Sequence, residues 1–189
     1  MVLNRQNTRG FTLVELMVTT SIAVVMLAMA APSLRDFVQR SQLSSAANDL
    51  SLALMYARSE AIKRGWPVTV CKSANPTASS PACDNTANWQ TGWVVFVNHN
   101  GATDAATSAV DTGTPADVVI RVGAGLSASI NGGTGFGNYV TFLPGGAVKG
   151  SGNSGAAASG AFSVTVASLE KLVCVNTTGR SEVTTGSCP

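Results

Sequence analysis

Between Phe11 and Leu34 the chain carries one charged side chain, Glu15, and that run constrains everything after it. A helix from Phe11 to Ala31 would reach about 30 Å at a rise of about 1.5 Å per residue, the thickness of a bilayer's hydrocarbon core. One carboxylate breaks the run near its amino end. At the centre of a membrane helix such a charge costs on the order of 2.5–3.5 kcal/mol on insertion scales, so it needs a partner. The ten residues before the run hold Arg5 and Arg9 and no acid, as a short cytoplasmic leader does.

The junction Gly10-Phe11-Thr12-Leu13-Val14-Glu15-Leu16 resembles the prepilin signature of type IV pilins and type II secretion pseudopilins. In that family a membrane-embedded prepilin peptidase cuts after the glycine and N-methylates the new terminus. The resemblance therefore implies cleavage between Gly10 and Phe11 and methylation of Phe11. It makes Glu15 the assembly residue, its carboxylate pairing with the Phe11 amine of a neighbouring subunit. The implied partners are other pilin or pseudopilin subunits, the peptidase and the inner membrane. The implied location is a single-pass inner-membrane anchor with a periplasmic carboxy-terminal domain, then a type IV pilus or a type II secretion pseudopilus. Two other readings compete. An ordinary signal peptide cut after Ala28-Met29-Ala30 would release a secreted soluble β-domain starting at Ala31. A plain single-span anchor is the other. Both leave Glu15 without a role.

The expected organisation is a leader over 1–10, a transmembrane half-helix over 11–32 and a periplasmic domain over 33–189. About 150 residues after the span are enough for one domain with its own core. Charged residues are 12% of the chain, about half the usual globular share. The formal charge of +2 comes from the leader, since removing Arg5 and Arg9 leaves ten basic and ten acidic side chains. A neutral mature chain has no global attraction to nucleic acid or anionic lipid.

After Pro32 the pattern becomes an amphipathic helix over 33–65, with a kink or local melting expected near Ala28–Pro32. At about 100° per residue, Leu43, Ala46, Ala47, Leu50, Leu54, Ala57 and Ala61 share one arc, which should bury. So many alanines imply that a sheet approaches the helix closely. Leu52 and Tyr56 fall on the other side, as surface residues or as contacts for neighbouring helices. Asp36 with Arg40 and Glu60 with Arg64 form i,i+4 pairs. Gly65 suits the position after the helix, and Trp66-Pro67 blocks continuation.

From 66 to 189 the chain reads as short strands between turn clusters. The candidates are Pro67–Lys72, Gly92–Asn98, Val118–Val122, Tyr139–Leu143, Phe162–Ala167 and Leu172–Asn176, with long loops at His99–Ala116 and Gly145–Gly160. One long helix packed on antiparallel β-structure is an α+β, type IV pilin-like fold. The four cysteines, Cys71, Cys83, Cys174 and Cys188, allow three connectivities. Pairing Cys71 with Cys83 and Cys174 with Cys188 closes two short polar loops, each giving roughly 3 kcal/mol in the chain-entropy model. Zinc is disfavoured because no C-x-x-C pair exists, and an oxidising compartment fits best.

Val68-Thr69-Val70-Cys71, Cys83, Trp89, Gly92-Trp93-Val94-Val95-Phe96 and Tyr139–Gly146 are similar to the GspH/FimT group of minor pilins and pseudopilins. The resemblance implies a structural subunit, with no enzymatic activity and no cofactor. Some FimT-like members bind DNA through Gly-Arg-x-Arg during natural transformation, which makes a DNA-binding minor pilin acting in uptake the alternative function. Here the matching residues are Gly179-Arg180-Ser181-Glu182, so Arg180 and Lys171 form the candidate DNA surface and Glu182 opposes it. His99 lies in an Asn- and Gly-rich turn without a catalytic partner, and no Gly-x-Ser-x-Gly elbow occurs. Gly123-Ala124-Gly125-Leu126-Ser127-Ala128 matches G-x-G-x-x-A, but no amphipathic helix follows to complete a dinucleotide site. Asn98, Asn100, Asp104 and Asp111 could be assembled into a calcium loop, though their spacing fits no EF-hand. No metal is therefore expected.

Overall fold

The structure, a computed structural model, describes residues 10–99, 116–133, 135–150 and 159–188, with side chains 29–32 outside the description. The chain divides after Val38 into two compact units. One helix, α1 (Leu13–Arg64), supplies residues to both. It is helical through Pro32, so the local melting expected there does not occur. At its carboxy end Gly65 takes φ +70 and donates its N–H to the Ala61 carbonyl at 3.0 Å, and this left-handed residue stops the helix.

The second unit, Gln39–Pro189, packs α1 against two antiparallel sheets. In chain order the strands are β1 (Val68–Lys72), β2 (Trp93–Val97), β3 (Val118–Gly123), β4 (Ser129–Asn131), β5 (Tyr139–Phe142), β6 (Val148–Gly150), β7 (Gly160–Val166), β8 (Leu169–Val175) and β9 (Ser181–Thr184). The first sheet has the order β3-β2-β1-β5-β6 and the second β4-β7-β8-β9. The predicted arc of α1 is the buried one: Leu43, Ala46, Ala47, Leu50, Leu54, Ala57 and Ala61 all lie in the core, joined by Ala53. Small side chains along this stripe let the β backbone come close, while Leu50 and Leu54 each contribute roughly 1.5–3 kcal/mol by full burial. Leu52 is exposed, but Tyr56 is half-buried and packs against the core. Of the two expected helix pairs, the one that forms joins Glu60 to Arg64, at 2.5 Å.

β2 is buried along its whole length because the first sheet is covered on both faces. Trp93, Val95 and Val97 join the helix-side core. On the other face Val94 and Phe96 cluster with Cys71 and Tyr139, and Cys83 of the disulfide loop packs over them. Thr69 and Thr141, paired in register, share a buried hydroxyl–hydroxyl bond of 2.8 Å, which satisfies two polar groups inside that layer. In the second sheet Phe162 takes Trp89 edge-on at 5.0 Å and stacks with Phe136 at 5.3 Å.

β4, β6 and β9 lie where the sequence reading expects loops. Each has three or four residues, too few for alternation to register, and exists because a neighbouring strand templates it. β7 begins two residues and β8 three residues earlier than expected, and the two meet in a tight hairpin whose Ala167 adopts φ +52. A turn built on alanine and serine carries no glycine or asparagine signal.

Candidate functional site

Gly10 and Phe11 precede α1, and Phe11 is 79% exposed. Thr12 stands at the N-cap, its hydroxyl accepting the Glu15 backbone N–H at 3.2 Å. Thr12-x-x-Glu15 is therefore also a capping-box sequence, a local role for Glu15 that its charge alone does not suggest. Every large apolar side chain from Leu13 to Leu27 is exposed. By length and composition this helix can cross a membrane. Its hydroxyls do not oppose that. Thr19, Thr20 and Ser21 donate back to the carbonyls of Glu15, Leu16 and Met17 at 2.9, 2.9 and 2.7 Å, so no hydroxyl there needs water.

Cys71 is joined to Cys83, and Cys174 to Cys188, each with Cα atoms 5.6 Å apart. The first bridge ties β1 to a loop held by Asp84, which accepts from the Thr86 backbone N–H and hydroxyl at 2.7 and 2.6 Å. These bonds, the hydroxyl's foremost, hold the Asp84 carboxyl below the usual range. Burial pushes the Tyr139 phenol upward.

The two candidate DNA-binding cations are not brought together. Lys171 lies opposite buried Val164 in the β7–β8 register, on the core side, and its ammonium donates to the Ser44 hydroxyl of α1 at 3.0 Å. Arg180 is exposed and shares a shallow cavity with Glu182 and the Cys174–Cys188 bridge. Gly179 has a structural reason of its own. It adopts φ +79, and a Cβ there would lie 2.2 Å from the Gly146 carbonyl oxygen and 3.0 Å from Arg58 Nε. One free guanidinium beside a carboxylate is a poor phosphate site. Duplex DNA at physiological salt should therefore bind weakly, and Glu182→Arg should raise affinity and steepen its salt dependence. Tight binding by the native chain that Arg180→Ala abolishes would contradict this.

His99 is bonded to the two residues that lead into β3. Its Nδ1 is 2.7 Å from the Ala116 carbonyl, its backbone N–H donates to Asp117 Oδ1 at 2.8 Å, and its ring meets Trp66 edge-on at 5.2 Å. Of the calcium-loop candidates, Asn98 is buried in the fold, while Asn100, Asp104 and Asp111 lie outside the described residues. After Gly123-Ala124-Gly125 the next element is β4, a strand. Gly123 is needed for contact, because its Cβ would sit 2.1 Å from the Trp93 indole.

Residues 5–31 match the prokaryotic N-terminal methylation motif, and residues 46–179 match the family described as type II transport protein GspH. A fimbrial protein of Dichelobacter nodosus is 32% identical over 122 residues, covering 64% of this chain and 70% of that protein. The type IV minor pilin FimU of Pseudomonas aeruginosa shares the fold, with a TM-score of 0.51 at 17% identity over 78% of this chain and 91% of FimU. A second crystal form of FimU gives 0.49 at 16% identity over 74% and 90%. With the family's core spanning most of the chain and its methylation motif ahead of it, the chain belongs to the GspH family and is a structural subunit of the minor pilin and pseudopilin kind.

Proposed function

We propose that this chain is made as a precursor anchored in the inner membrane by residues 11–32, with residues 33–189 in the periplasm. A prepilin peptidase removes residues 1–10 and methylates Phe11. The mature subunit then enters a type IV pilus or a type II secretion pseudopilus beside other pilin-type subunits. Glu15 draws the Phe11 amine of its neighbour into register, since a carboxylate in an apolar layer is stabilised by a cation.

The observation that carries this reading is the arrangement at the junction. Gly10 and Phe11 lie ahead of the first helical turn, exposed, while an apolar helix begins immediately behind them. Two disulfides support an oxidising compartment for the domain. Amino-terminal mass spectrometry of the mature protein is the test. The expected terminus is N-methyl-Phe11; a chain beginning at Ala31 would reject the filament reading in favour of a secreted domain. Scoring motility and exoprotein secretion in a deletion strain then assigns the pilus or the pseudopilus.

A further inference from the structure

Among the described residues β3 is an unpaired sheet edge, and it differs from the other three. β4 and β6 are three residues long, and β9 carries Glu182. β3 has six residues, four of them aliphatic, with Val118 46% and Val122 39% exposed. Sheet edges are usually short or charged, because an open row of N–H and C=O groups templates another strand. The one charge on β3, Arg121, does not guard the edge. Its guanidinium sits 5.4 Å from the centre of the Tyr56 ring of α1. A bulge between Val95 and Phe96 divides the strand, leaving Arg121–Gly123 in regular register with Trp93–Val95. Among the described residues, no strand pairs with the outer side of β3.

Beside that half-strand is a cavity of about 210 Å³ lined by Asp49, Trp93, Arg121, Gly123, Gly125 and Leu126. Trp93 is 3% exposed, and its Nε1–H is buried with no hydrogen-bond partner. The wall is preformed. The indole lies on Gly123, and the Leu126 N–H is held by the Gln90 carbonyl at 2.9 Å. Neither Asp49 nor Arg121 is in an ion pair among the described residues. A donor from Arg121 and an acceptor from Asp49 thus line one small space, while the Trp93 Nε1–H is fully buried and does not open into it. A carboxylate entering it would meet Asp49, and an ammonium would meet Arg121. A carboxamide suits both, since its oxygen accepts while its NH₂ donates. Pockets for drug-sized ligands run from about 300 to 1,000 Å³, so this one takes a single side chain.

We propose that Arg121–Gly123 is a strand-addition site for an extended segment of another pilin-type subunit, whose Asn or Gln side chain enters the cavity. The proposal rests on the filament reading above. Backbone pairing along the edge supplies affinity, and the cavity selects the residue.

The test uses the full chain in its own cells, with the photoreactive residue p-benzoylphenylalanine in place of Val122, or in place of Thr184 on β9 as a control. The Val122 position should crosslink to a pilin-type subunit through a peptide that contains Asn or Gln, and Thr184 should not yield that peptide. Arg121→Ala in the Val122 background should lower the yield roughly ten-fold, the loss of one hydrogen bond to a charged group. Asp49→Ala, on the exposed side of α1, repeats the test should Arg121→Ala lower the melting temperature. No crosslink, a yield indifferent to both substitutions, or a peptide lacking both amides would each overturn the proposal. Amino-terminal mass spectrometry on the same sample separates the two levels. N-methyl-Phe11 without the crosslink rejects strand addition alone, whereas a start at Ala31 rejects the filament reading beneath it.

Discussion

Gly179→Ala should destabilise the β-rich domain by about 3 kcal/mol, the sum of backbone strain and overpacking, whereas Arg180→Ala should leave stability within about 0.5 kcal/mol. The two neighbours share one motif but occupy opposite environments. Gly179 is buried at φ +79, where an L side chain is strained, and its added methyl would press on the Gly146 carbonyl. That carbonyl cannot retreat easily, because Gly146 is itself held at φ +84 with Arg58 packed beside it. Arg180 is exposed. For a domain of this size the glycine substitution should lower the melting temperature by roughly 10 °C. Thermal denaturation of both variants measures the difference. A Gly179→Ala protein as stable as the native one would remove the steric account and reopen the motif as a binding element.

Glu15→Val should leave the chain processed and membrane-bound yet nearly absent from filaments. Valine takes away both a charge and the last residue of the Thr12-x-x-Glu15 capping box, so the substitution alone does not separate the two roles. Glu15→Gln does. Glutamine serves at that capping position about as well as glutamate, but it cannot pair as an anion with a neighbour's amine. Filament content in sheared fractions, compared with membrane content by immunoblot, should fall equally for both variants. Recovery with Gln but not Val would assign Glu15 to helix capping and remove its proposed part in assembly.

The helix and its buried face were legible because 3.6-residue periodicity needs only local sequence, and Gly65-Trp66-Pro67 marks its end without ambiguity. β1 and β2 were legible for a similar reason, as short apolar runs bounded by turns. β4, β6 and β9 were not, because strands of three or four residues exist through pairing and carry little signal of their own. Lys171 shows the cost of a one-residue register. In Leu169-Glu170-Lys171-Leu172-Val173 the apolar residues do not alternate, and the observed pairing turns Leu169, Lys171 and Val173 to the core side. A lysine read as a surface cation is therefore bound to the helix. At the amino end the prepilin signature was visible from residue types, while the capping box within it lay behind the more conspicuous charge.

The hydroxyls of Thr19, Thr20 and Ser21 are bonded within α1, which bears on how such a subunit changes surroundings. A helix of this kind carries no hydroxyl bond to its environment, so none must be broken when lipid tails are replaced by the flanks of other helices. Lipid and protein are then nearly equivalent solvents for that stretch, and moving between them is close to neutral. What remains to bias the transfer is the single carboxylate among these side chains. On the assembly role proposed for Glu15, a transfer from bilayer to filament would then turn on one residue rather than on many along the helix.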